Sequence, residues 1–316
     1  MDRPTLLLFP FLLTLHLSIS GVVNSTKFTL VNKCEYTVWP GILSNAGVPS
    51  LSTTGLVLQT GDSNTITAPT SWGGRFWGRT LCSQDSTGKF SCVTGDCGSG
   101  KIECSGNGAT PPATLAEFTL DGAGGLDFFD VSLVDGFNVP MLVVPQGGSG
   151  DNCTSTGCVG DLNGACPSEL KVTSVDGNEG VGVACKSACE AFGSPQYCCS
   201  GAFATPDTCK PSSYSQIFKT ACPRAYSYAY DDKTSTFTCA AADYTITFCP
   251  PPSSSQKASQ GQDAPALPLL NNGTMVYEGA DQSEISWAMC THVFESQAIA
   301  GIVSIAMTIW RLCQLF

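Results

Sequence analysis

Sixteen of the chain's 18 cysteines fall between Cys34 and Cys249, and the other two, Cys290 and Cys313, lie beyond them in a different kind of sequence. An even set at this density belongs in an oxidising compartment, where it forms a disulfide framework. Read as eight disulfides, it describes a secreted, loop-rich domain held together largely by covalent staples. A zinc framework fits less well. Structural zinc sites want paired Cys or His clusters, and the segment from Cys34 to Cys249 contains no histidine. Counting alone allows about two million pairings of sixteen cysteines, so the connectivity stays open at this point.

The flanks support the secretory route. Residues 1–21 have a signal-peptide layout, with an apolar core over Leu6–Ile19, small residues at Ser18, Ser20 and Gly21, and cleavage expected within Ser20–Ser25. Asn24, Asn152 and Asn272 each begin a glycosylation sequon. From Lys27 to Cys249 there are 20 acidic and 12 basic side chains. That balance argues against a nucleic-acid partner, whose phosphates need Lys and Arg. It allows a basic protein partner, or a neutral one bound by carboxylates. Residues 251–297 read as a Ser/Pro/Gln-rich linker and residues 298–316 as a hydrophobic tail. The apolar run Ala298–Trp310 is short for a bilayer span, which needs about 20 residues. A polar spacer and an apolar tail suit a GPI-attachment signal; a short single span or a cleaved extension are the alternatives. The expected location is the extracellular space or cell wall, or the plasma membrane if the anchor is added.

Short β-rich runs bounded by Gly, Pro, Asn or Ser recur along the body, among them Lys27–Val31, Tyr36–Trp39, Arg75–Trp77, Ala116–Leu120, Leu126–Leu133 and Met141–Val144. Phe118 and Leu120 alternate with Glu117 and Thr119. Such strands with turn signals between them indicate a mainly β sandwich or barrel. Gly182–Phe192 spaces Ala184, Ala188 and Ala191 as a helix would and predicts a short helix carrying Cys185 and Cys189. The stretch 153–222 holds nine cysteines and reads as a separate, loop-rich lobe.

One passage is distinctive. Gly88, Phe90, Cys92, Thr94, Gly95, Asp96, Cys97, Gly100 and Cys104, within Gly88–Cys104, resemble the signature of the thaumatin-like, pathogenesis-related family. Ala113–Leu120, Leu126–Met141, Gln196–Cys199 and Ala225–Tyr228 are similar to the same family, and the likeness covers roughly Ser25 to Pro250. It implies a flattened β-sandwich with two disulfide-rich loop lobes, one carrying a short helix. On that expectation the domain spans 22–250, with a sandwich body at about 26–79, 113–152 and 223–250, a small lobe at 80–112 and a larger lobe at 153–222. The resemblance also implies a pairing: Cys34–Cys249, Cys82–Cys92, Cys97–Cys104, Cys153–Cys239, Cys158–Cys222, Cys166–Cys185, Cys189–Cys198 and Cys199–Cys209.

Absences narrow the chemistry. Without histidine in the body, Ser-His-Asp and Cys-His catalysis are excluded, and no Walker loop or dinucleotide fingerprint calls for a cofactor. Carboxylates remain, the groups that glycoside hydrolysis uses. The resemblance implies an acidic, ligand-binding cleft of Arg75, Glu117, Asp130, Asp135 and Asp231, with Asp232 a near neighbour of the last. Glu117 is the expected proton donor and Asp130 the base or nucleophile. Asp127, three residues before Asp130 on a strand, falls on the opposite face and reads as structural. Phe129, Phe137, Tyr226 and Tyr228 are candidates to stack on sugar rings, and Asp96 reads as a turn former. The implied ligand is β-1,3-glucan or another wall polysaccharide, bound by a monomer in defence against fungi, with weak endo-hydrolysis left open. The rival readings are a non-catalytic protein docking a basic partner, and a tethered surface sensor or wall-organising protein.

Overall fold

The computed structural model describes residues 25–174 and 180–251. The expected signal peptide, the linker beyond Pro251, the tail, Asn24, Asn272, Cys290 and Cys313 lie outside the described residues.

In chain order the described strands are β1 (Thr26–Asn32), β2 (Trp39–Ser44), β3 (Ser63–Ala68), β4 (Gly73–Gln84), β5 (Phe90–Thr94), β6 (Leu115–Thr119) and β7 (Asp127–Ser132). They continue with β8 (Met141–Gln146), β9 (Thr156–Cys158), β10 (Lys171–Thr173), β11 (Gly182–Cys185), β12 (Phe237–Cys239) and β13 (Asp243–Phe248). One sheet has the order β3-β1-β13-β8-β9, and the other runs β12-β7-β6-β4-β2 with β5 added to the far half of β4. The two sheets form the sandwich. Alternation decides which side chains fill it: Phe28 and Leu30 of β1, Phe76 of β4, Phe118 of β6, Phe129 of β7 and Tyr244 of β13 are all buried. Their rings make edge-on, tilted and stacked contacts, with Phe28–Phe118 centroids 4.7 Å apart and Phe129–Tyr244 centroids 5.1 Å apart. Such contacts add roughly 0.5–1.5 kcal/mol per pair beyond area burial.

The first and last strands lie side by side, β1 pairing with β13 in parallel. Just beyond them Cys34 bonds to Cys249 across a sequence separation of 215. In the chain-entropy model that closure removes on the order of 5 kcal/mol of unfolded-state entropy. The other seven disulfides are Cys82–Cys92, Cys97–Cys104, Cys153–Cys239, Cys158–Cys222, Cys166–Cys185, Cys189–Cys198 and Cys199–Cys209.

Five short helices are described: α1 (Leu162–Ala165), α2 (Ala188–Phe192), α3 (Pro195–Cys198), α4 (Ser213–Ala221) and α5 (Asp232–Ser235). The expected helix over Gly182–Phe192 is only half right. Gly182–Cys185 is β11, paired with β10, and Cys185 exchanges two backbone hydrogen bonds with Phe137 at 2.7 and 2.8 Å. The helix starts later because Ser187 caps it, accepting from the Glu190 amide, and Gly193 in the left-handed region ends it. Backbone bonds to the sandwich outweigh the alanine spacing. Where β4 enters the small lobe, Arg79 is fully buried and donates to the carbonyls of Trp39 (2.9 Å) and Ile102 (2.6 Å), near enough to Asp96 and Glu103 to feel their charge, so a buried cation ties strand to loop.

Candidate active site

Three neighbouring antiparallel strands set one row of charged side chains. Register places Arg75 of β4 opposite Glu117 of β6, and Glu117 opposite Asp130 of β7. Directly opposed residues hold their Cβ atoms about 4.5–5.5 Å apart. The same alternation that sends Phe76, Phe118 and Phe129 inward turns this row outward. On one side the next row is Trp77, Leu115 and Ser132, where the small lobe covers Trp77 and its Nε1 donates to the Gly95 carbonyl at 2.8 Å. On the other side the row is Gly73, Thr119 and Phe128.

The charged row forms part of the wall of a cleft of about 390 Å³, which Asp135, Ser132, Tyr226 and Asp232 also line. Asp135 rides on the loop after β7. That loop is held by the Ala113 amide, which donates to the Asp135 carbonyl at 3.0 Å. Gly136 has φ +87, and a Cβ there would sit 2.6 Å from the Cys185 carbonyl oxygen. Glycine is therefore required for the loop to lie against the large lobe.

One expected position changes hands. Asp231 does not line the cleft: its Oδ2 pairs with Lys219 Nζ at 2.9 Å and accepts from the Ser227 amide and hydroxyl at 3.0 and 2.9 Å. Asp232 lines the cleft instead, its Oδ1 accepting from the Tyr226 hydroxyl at 2.9 Å. Two consecutive aspartates at the start of α5 cannot face the same way, and Lys219 claims the first.

Burial and mutual repulsion govern the protons. Arg75 Nε lies 3.8 Å from Glu117 Oε1, with both side chains a little over a third exposed. Burial raises the Glu117 carboxyl, Arg75 opposes that rise, and Asp135 adds to it. Asp130 is pushed well above the usual aspartate range, by burial first and then by the charges of Glu117 and Asp232. Its Oδ2 is buried without a hydrogen-bond partner among the described residues. Asp135 is raised by burial, with Arg75 opposing. Like charges this close cannot all ionise together, so the cluster titrates as a coupled unit with Glu117, Asp130 and Asp135 all shifted upward.

Of the aromatic candidates, Tyr226 lines the cleft, whereas Tyr228 lines a separate small cavity with Val134, Tyr197 and Phe218. Phe129 and Phe137 are core residues at 1% and 0% exposure, unavailable to a ligand. Their strand and loop positions turn them inward. Asp127 is buried, accepting from the Tyr244 hydroxyl at 2.8 Å and the Asp121 amide at 3.0 Å. Asp96 accepts from the Gly98 amide at 3.2 Å within its turn, and the exposed Asn152 donates to the Thr236 carbonyl at 3.0 Å. Among the described residues no group of three or more His, Cys, Asp or Glu could hold a metal ion. Ser132 escaped the sequence reading although it lies two residues from Asp130, on the same face. Glu190, close enough to Asp135 to feel its charge, left no local signal at all.

The family model described as Thaumatin family matches residues 32–250. The chain belongs to the thaumatin family. It is 60% identical over 251 residues to thaumatin-like protein 1 of Arabidopsis thaliana, covering 78% of this chain and 93% of that protein. It is 60% identical over 227 residues to pathogenesis-related thaumatin-like protein 3.5 of Cryptomeria japonica, covering 72% and 91%. It is 54% identical over 231 residues to a Prunus avium protein named glucan endo-1,3-beta-glucosidase, covering 73% and 93%. As a thaumatin-like, pathogenesis-related chain with eight disulfides among its described residues, it has a make-up consistent with secretion.

Proposed function

We propose that this is a secreted defence protein whose acidic cleft binds β-1,3-glucan of fungal walls and cuts it slowly. The observation that carries the reading is the Arg75–Glu117–Asp130 row, in which two facing carboxyls have unlike surroundings: Glu117 lies 3.8 Å from Arg75, and Asp130 has a buried oxygen without a partner among the described residues. A relative named for endo-1,3-β-glucosidase activity, 54% identical to this chain, supports the choice of polymer.

From these surroundings we infer roles opposite to those expected from sequence. Asp130, buried and crowded by like charge, is the proton donor to the glycosidic oxygen. Glu117, held toward ionisation by Arg75, is the carboxylate that meets the anomeric carbon, either directly or through a water. Bond cleavage puts the proton of Asp130 on the departing sugar oxygen, and water supplies the hydroxyl of the new reducing end. Slow turnover follows from exposure. Oriented charge is most effective where water is excluded, and Arg75 and Glu117 are both more than a third exposed. Binding outlasts chemistry in such a site.

The test is pull-down on insoluble β-1,3-glucan together with reducing-end release, for wild type, Glu117→Gln and Asp130→Asn. Loss of release by about 10²-fold or more in both variants, with the glucan still retained, is the expected result. Variants that bind and cut like wild type would overturn the assignment.

A further inference from the structure

The cleft does not end at the acids. On their other side, away from the large lobe, a second depression of about 250 Å³ is lined by Asn45, Gly74, Phe118, Thr119 and Phe128, and it shares Glu117 and Asp130 with the cleft. It is built by the sheet itself. Thr119 lies two residues from Glu117 on β6, and Phe128 lies two residues from Asp130 on β7, so the row Gly73–Thr119–Phe128 runs parallel to the charged row on the same face. Gly73 contributes no side chain to it. A Cβ there would lie 2.8 Å from Asn45 Nδ2, so glycine lets the Asn45 amide lie low over β4.

The lining has mixed chemistry. Asn45 and Thr119 are exposed, and neither side chain makes a hydrogen bond among the described residues, which leaves an amide and a hydroxyl free to meet hydroxyl groups. Phe128 is half-buried, with Gly122 so close to its ring that a Cβ there would lie 2.9 Å from it. A neutral amide, a hydroxyl and one side of an aromatic ring suit a sugar, whose hydroxyls need partners and whose C–H face needs apolar cover. No cationic side chain lines the depression, so anionic ligands are disfavoured.

We propose that the Asn45–Thr119–Phe128 depression is a second saccharide subsite, so that a linear neutral glucan crosses the carboxylate pair with glucosyl units bound on both sides. This rests on the glucan reading of the cleft and adds its length requirement: a saccharide long enough to pass the acids binds more tightly than one that fills only the cleft beside the lobe. Covering on the order of 50 Å² of ring and sugar C–H surface corresponds to a gain of about tenfold.

Calorimetric titration with β-1,3-linked trisaccharide and hexasaccharide reads this directly, on Asp130→Asn protein to prevent cleavage. The hexasaccharide is expected to bind about tenfold more tightly than the trisaccharide. In Asn45→Ala that ratio shrinks, and in Thr119→Trp, which fills the depression, it falls to near one. Both substituted side chains are exposed and unbonded, and guanidinium unfolding checks that each variant keeps its fold. A ratio of one in the parent protein, or a ratio unmoved by both substitutions, overturns the second subsite while leaving the cleft reading intact. Absence of binding by either saccharide overturns the glucan reading itself.

Discussion

Replacing Glu190 by glutamine would show how far the charge of the cleft reaches into the large lobe. Glu190 stands in the first turn of α2, partly exposed, with its Oε2 buried and without a partner among the described residues. Its carboxyl is pushed up from 4.5 to about 7, by burial first, with Asp135 adding and Lys186 opposing. A carboxyl raised in the folded state binds its proton more tightly there than in the unfolded chain. Stability therefore falls as pH climbs from about 4.5 and stops falling above about 7. At about 1.4 kcal/mol for each pH unit, the gap bounds the loss at roughly 3–4 kcal/mol. Solvent screening of a partly exposed group brings it to about 1–2 kcal/mol. Glu190→Gln is then neutral at pH 4 and stabilising by about that amount at pH 8, read by guanidinium unfolding with disulfides intact. The gain should shrink in an Asp135→Asn background, where part of the repulsion is already gone. An equal gain at both pH values, or a loss at pH 8, would refute the reasoning.

Two further outcomes follow from the same electrostatics. In Arg75→Gln the charge that holds Glu117, Asp130 and Asp135 down is removed, so the pH limb for reducing-end release moves upward, and Arg75→Lys restores it; a limb that stays in place would mean these groups do not set the rate. Tyr244→Phe takes the 2.8 Å donor from buried Asp127 and should cost about 1–3 kcal/mol at pH 7 in guanidinium unfolding, less at low pH where Asp127 is protonated; an unchanged midpoint would remove that bond from the core's supports.

The sandwich was readable because its signals are local. Alternation in Ala116–Leu120 told which face Glu117 and Phe118 would take, and the structure uses both faces as that pattern requires. Asp127 and Asp130 were separable by parity alone. The large lobe was less readable because its order comes from distant backbone partners. Cys185 looked helical among alanines, yet its amide and carbonyl are claimed by Phe137, 48 residues earlier in the sequence. No window around residue 185 contains that information.

The site divides along the same line. Arg75, Glu117 and Asp130 sit on three adjacent strands, so once the strands pair, their meeting is a matter of register. Asp231 and Asp232 differ by one residue at a helix start, and the choice between them was made by Lys219 of α4, whose Nζ also bonds the Ala225 carbonyl at 3.0 Å and the Ser235 hydroxyl at 2.8 Å. A cation so fully engaged fixes Asp231 as a structural anion and leaves Asp232 to the cleft. The consequence reaches the chemistry, because Asp232 is one of the two charges that raise Asp130. Lys219 shares the hold on this turn with Ser227, which donates its amide and hydroxyl to the same Asp231 carboxylate, so losing the lysine would weaken the aim of Asp232 and with it one cause of the raised Asp130. A lysine that lines no part of the cleft thus contributes to the electrostatics at Asp130, after burial and the charge of Glu117.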